Sequence, residues 1–159
     1  MRRNIFILGL IAVVAAFATT AFAANVHFKN NGGPNPAVSG TSDETLTVSG
    51  TLVGLGKSPG TIELQGFGTA TTTCQNPGTN QKTVESQGSD GPIADAIVDI
   101  NPDQITRSGN YTFTVSATAE GGSCPNDNWT KTTTVDFTSY QLIVTQGDTV
   151  TVLGPFDAP

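Results

Sequence analysis

One histidine, two cysteines, one methionine and one tryptophan occur in 159 residues, and charged side chains make up only 13% of the chain. These scarcities remove whole classes of chemistry. A serine or cysteine nucleophile needs a base beside it. The only histidine, His27, stands four residues into the expected mature chain, where termini tend to fray. No G-x-S-x-G elbow occurs. Two cysteines and one distant histidine make a poor metal set. The D-x-[DN]-x-[DN]-G calcium loop is missing, and so is a C-x-x-C redox pair. No basic cluster is present to follow a phosphate backbone. No window repeats its apolar residues at helical spacing, and no apolar run reaches the roughly 20 residues of a membrane-spanning helix. The sequence therefore predicts no enzyme, no cofactor, no metal centre and no nucleic-acid partner.

What is present begins with an address. Arg2 and Arg3 precede fourteen residues, Ile5 to Ala18, without a charged or polar side chain, and Ala21-Phe22-Ala23 supplies small residues at a cleavage site. Residues 1–23 read as a secretory signal peptide, and 24–159 as a single mature domain with no membrane insertion after cleavage. The expected location is extracellular, or periplasmic where the source has an outer membrane. Loss of Arg2 and Arg3 leaves five basic against thirteen acidic residues, a net charge of −8. Such a surface repels nucleic acid and anionic lipid. The acidic residues are spread singly apart from Asp43-Glu44, as on a solvated surface. In an exported chain the lone pair Cys74 and Cys124 reads as one disulfide.

The mature chain is rich in Thr, Val, Ser and Gly, a strand-and-turn composition. Leu46, Val48 and Leu52 alternate with Thr45, Thr47, Ser49 and Thr51, which predicts one buried face and one threonine-lined wet face. Ile62, Leu64 and Ala70 keep one parity up to Cys74, and Phe67 on the opposite parity, between Gly66 and Gly68, marks a bulge or a second-face contact. Leu46–Val53 and Thr61–Thr73 are expected to be adjacent antiparallel strands. A turn at 76–80, a short polar edge strand at 82–87 and a turn at 89–92 follow. Ala96, Val98 and Ile100 alternate next. Tyr111, Phe113, Val115, Ala117 and Ala119 form the clearest alternation. Val135 and Phe137, then Leu142 and Val144, then Val150 and Val152 complete the pattern. About eight short strands at such spacing predict an all-β, antiparallel immunoglobulin-like sandwich. The bridge would clip the Asn/Pro/Gly-rich loops after Cys74 and around Cys124 at one end.

Gly109-Asn110-Tyr111-Thr112-Phe113 resembles the tyrosine corner of immunoglobulin-like domains, where a tyrosine hydroxyl bonds back to the preceding crossover. The resemblance implies a crossover at 102–108 with Ile105 as its buried peg, and a structural role for Gly109 and Tyr111. Two departures stand out: Phe113 replaces the second core cysteine, and Trp129 lies outside the third strand. Val26-His27-Phe28-Lys29, Leu46 with Gly50-Thr51-Leu52-Val53-Gly54-Leu55-Gly56, and Cys74-Gln-Asn-Pro-Gly-Thr-Asn-Gln are together similar to a family of short exported bacterial proteins. That likeness implies one secreted β domain and no activity.

Few constellations remain for function. Asp95 and Asp99 share one strand face, opposite Ala96, Val98 and Ile100. Paired carboxylates can hydrolyse a glycoside, but a solvent-facing, solubilising pair is the expectation. Asn126-Asp127-Asn128 and Asp90-Gly91-Pro92 offer oxygens and read as turn formers. Trp129 beside Asn126, Asp127 and Asn128 is the one candidate ligand site: an aromatic face can stack on a sugar while loop amides bond its hydroxyls. The competing role for Trp129 is to pack over the disulfide or the end of the core. Asn110-Tyr111-Thr112 and Asn128-Trp129-Thr130 match the N-glycosylation pattern. The leading expectation is a non-enzymatic structural or interaction domain at the cell surface or outside. Its Asn25–Asn30 segment would add as a strand to a neighbouring copy or a surface protein, and the domain would stay folded without residues 24–32; the competing reading is that the segment pairs with an edge of its own domain. The alternatives are a carbohydrate-binding module built on Trp129 and, last, an enzyme.

Overall fold

The computed structural model describes residues 25–40, 44–76, 78, 81–86 and 91–159. The signal peptide at 1–23, Asp43, most of the turn at 76–80 and the start of the turn at 89–92 lie outside the described residues. Among the described residues nine strands follow one another: β1 (His27–Phe28), β2 (Asn35–Ser39), β3 (Thr45–Val53), β4 (Gly60–Gln75), β5 (Gln81–Ser86), β6 (Ala94–Ile100), β7 (Tyr111–Thr118), β8 (Thr130–Gln146) and β9 (Thr149–Asp157). Single 3-10 turns at Lys29–Asn31 and Pro102–Gln104 are the helical elements among the described residues. None is long and apolar enough to cross a membrane.

The strands form two antiparallel sheets. In the first, β3 is central: β7 lies on one side, and β2 and β1 follow each other along the other. In the second, the order runs β9-β8-β4. The outer side of β4 is shared by β6 at residues 60–66 and by β5 at 70–75. With β2, β3, β4, β7, β8 and β9 in the places of strands A, B, C, E, F and G, this is the strand order of an immunoglobulin-like sandwich. The alternating side chains foreseen from the sequence close the core: Leu46, Val48, Leu52, Ile62, Leu64, Leu142 and Val144 are all buried. On the outer face of the first sheet, Thr45, Thr47 and Thr51 hydrogen-bond across to Thr118, Ser116 and Thr112 at 3.1, 2.8 and 3.1 Å. These hydroxyl rungs form an uncharged ladder of cross-strand pairs.

Three expectations need correction. β3 and β4 are not paired; they lie in different sheets. The Gly54–Pro59 connection crosses between the sheets, with Leu55 buried in the core as it goes. The register irregularity at Phe67 comes from the partner strand. Phe67 opposes Ser139 and Gly68 opposes Phe137, so Thr138 of β8 is the extra residue. That insertion explains why Val135 and Phe137, and then Tyr140, Leu142 and Val144, all face inward on one 17-residue strand rather than two short ones.

The third correction concerns the tyrosine. Tyr111 opens β7, which holds the E position, whereas the tyrosine corner of immunoglobulin-like domains introduces strand F. Its hydroxyl donates to the carbonyl of Asp99 at 3.1 Å. The acceptor therefore lies at the end of β6, ahead of the 102–108 crossover. Ile105 within that crossover is 2% exposed. Gly109 adopts φ +75°, a left-handed conformation that glycine tolerates best, and its carbonyl accepts from the Leu55 amide at 3.2 Å. The same local chemistry thus pins a different crossover, one leading from the second sheet to the first.

Candidate functional site

The end of the sandwich near Cys74 is built unlike the rest. Cys74 and Cys124 form a disulfide with Cα atoms 5.6 Å apart. Beneath it the core turns polar: Thr72 and Thr133 are buried, and their hydroxyls share a hydrogen bond of 3.1 Å. The segment Ala119–Ser123 passes over this pair. A side chain at Gly121 would collide with both hydroxyls, so only glycine lets the backbone lie so close. The Lys131 ammonium donates to the Gly121 carbonyl at 3.1 Å and ties the segment to β8. Two open grooves flank it. One, of about 430 Å³, runs along Ile93–Asp95 and Thr118; the other, of about 540 Å³, lies between Glu44, Lys131 and Thr133.

The candidate sugar site sits elsewhere on this loop. Asn126 accepts the Asn128 amide on its side-chain oxygen at 2.9 Å and the Trp129 amide on its carbonyl at 3.1 Å. Asn126, Asp127 and Asn128 are exposed, Trp129 is half-buried, and none of the four lines either groove. The asparagines make a turn, as their type favours, and the turn delivers the chain into β8. Asp95 and Asp99 are both exposed on the outer face of β6. His27 is exposed on β1, with its ring Nδ1 2.8 Å from the Asn25 carbonyl. The structure does not bring these groups together. Among the described residues, no three His, Cys, Asp or Glu side chains converge as metal ligands would.

Two features were not singled out from the sequence. Gln146, 2% exposed at the end of β8, accepts the Gly56 amide at 3.1 Å. Its amide group donates to the Gly56 and Ser58 carbonyls at 2.9 and 2.7 Å. It holds the crossover between the sheets, and the only hint was that its parity continues Leu142 and Val144. The other feature is an unequal seam between the two sheets. β9 pairs with Ser139–Gln146 of β8, while Thr130–Phe137 has no strand on its outer edge among the described residues. Beside that bare edge lies a groove of about 300 Å³ lined by Val38, Val135, Asp136, Phe137 and Pro159. Such an edge offers a row of N–H and C=O groups for another strand. Compared with protein-family models, with curated proteins and with solved structures, the chain matches none.

Proposed function

We propose that the protein is an exported, non-catalytic interaction domain that assembles with copies of itself by exchanging its N-terminal strand. The carrying observation is the attachment of β1. Two residues pair with β3, His27 with Val53 and Phe28 with Leu52. Two side chains, Val26 at 4% and Phe28 at 9% exposure, enter the core. The chain then leaves through Asn30 at φ 60° and the Gly32-Gly33-Pro34 run. So small an element, followed by such a hinge, can make the same contacts in a neighbour's slot at little net cost. Burial of Val26 and Phe28 also argues that removing residues 24–32 opens the core. The strand is then part of the fold as well as its proposed currency of exchange. The leader-like residues 1–23 and a disulfide of the kind that persists in oxidising compartments support export.

The test uses the pairing itself. Opposite residues of an antiparallel pair lie within bridging distance, so His27→Cys with Val53→Cys forms a cystine wherever β1 docks. Oxidised at high protein concentration and run denatured without reductant, exchanged chains give covalent dimers or ladders. Monomer bands alone, at every concentration, would overturn the exchange.

A further inference from the structure

We propose that the bare edge of β8, Thr130–Phe137, is a two-fold contact with a second copy of this chain. The inference shares with strand exchange the premise that the domain self-associates, but it uses a separate surface. The edge lacks the usual defences against pairing. It runs eight residues without proline, glycine or bulge, the irregularity coming only at Thr138. The lysine that could guard it, Lys131, is folded back onto the Gly121 carbonyl. Its composition, four threonines with Val135 and Phe137, is that of a ready strand, and Lys131 and Asp136 cancel in charge.

The occupant follows from self-complementarity. Residues directly opposite in an antiparallel sheet share a face, so a two-fold axis through Thr133 pairs positions of equal parity. Thr132 then faces Thr134 of the second copy, Lys131 faces its Val135, and Thr130 faces its Asp136. No like charges oppose one another, and β-branched residues meet across the seam, as stable pairs require. One step further out, Phe137 meets Trp129 of the second copy. Phe137 already lines a groove with Val38, Val135, Asp136 and Pro159, next to the point where the Ala158 amide donates to the Thr138 carbonyl at 3.1 Å, and an incoming indole would lie over that groove. This gives the half-buried Trp129 a protein partner. The two β8 strands would join the second sheets of two domains into one.

Thr132 and Thr134 are exposed on the outer face, so charge can be placed there without touching the core. Sedimentation equilibrium of the protein carrying Thr132→Lys with Thr134→Lys should show dimerisation weakened about tenfold or more, because lysines then face lysines twice across the axis. Thr132→Glu with Thr134→Lys places opposite charges in the same register and should restore association to the level of the unaltered chain or beyond. Restoration by the second variant is what a generic loss of solubility or fold could not mimic. The proposal is overturned if the unaltered chain sediments as a monomer across the accessible range, or if the two variants associate alike. The cystine ladder at β1 reads the exchange separately, so either contact can fail while the other stands.

Discussion

The two halves of β8 are made of similar strand-forming residues but are stabilised by different means. From Ser139 to Gln146 the strand is paired on both sides, by β4 and β9. Its inward residues Tyr140, Leu142 and Val144 sit in the apolar core. The seam beside it is shut by aromatic contacts, Phe28 to Phe156 at 5.8 Å and Phe156 to Tyr140 at 5.4 Å. From Thr130 to Phe137 one side has no strand among the described residues, the core carries the Thr72–Thr133 pair, and a disulfide stands at that end. Hydrophobic burial scales with the apolar area removed from water. A half-strand with fewer apolar neighbours needs another constraint, and the bridge supplies it. The packed half makes the domain; the stapled half leaves an edge and three grooves uncovered among the described residues.

Breaking the staple should give the largest effect. Cys74→Ser with Cys124→Ser releases a loop spanning 50 residues, worth about 4 kcal/mol in the chain-entropy model. Denaturant titration measures the loss, and amide exchange should locate its local part at 69–75 and 130–137 while 139–146 keeps its ranking. Leu142→Ala attacks the other half. The side chain is fully buried, so about 2–5 kcal/mol should be lost in the same titration, with no preferential opening at the disulfide end. Gln146→Ala leaves the Gly56 and Ser58 backbone groups without their partner. A cost of about 1–3 kcal/mol is expected, with faster exchange in the Gly54–Pro59 crossover. Tyr111→Phe removes one hydrogen bond, to Asp99, and should cost about 1 kcal/mol in melting experiments.

The mildest probe is alkaline pH. Burial raises the Tyr140 hydroxyl above its ordinary value. A raised pKa in the folded state means that folding favours the protonated form. The contribution is therefore complete below the unfolded value near 10 and is lost as pH climbs through the folded one. Unaltered protein should lose stability above about pH 10 more steeply than Tyr140→Phe does; parallel pH profiles would show that Tyr140 is not the sensor.

Much of this was legible in the chain because period-2 alternation reports directly on burial. Leu46, Val48, Leu52, Tyr111, Phe113 and Val115 all point where their parity places them. Sheet membership was less legible. Alternation does not say which strand is a neighbour, so β3 and β4 read as a hairpin although a connection holding buried Leu55 carries the chain to the other sheet. The inserted Thr138 hid the length of β8, because an extra residue flips parity and mimics a strand boundary. The Trp129 loop offered two readings, a sugar site because Asn, Asp and Trp suit sugars, and a ring packed over the disulfide or the end of the core. The turn itself was legible from residue type, and its bonds run to the Asn126 side-chain and main-chain oxygens; what composition does not reveal is what the Trp129 ring meets. The bare edge was invisible for the same reason as Gln146: both depend on which distant segment lies alongside.

The most direct test is residue-resolved hydrogen exchange along β8 in dilute protein, where copies are apart. Strong protection is expected throughout Ser139–Gln146, and in Thr130–Phe137 an alternation between amides protected by β4 and amides that exchange freely at the open edge. Uniform protection along all seventeen residues of β8 would contradict this, because the edge at Thr130–Phe137 would then already be covered.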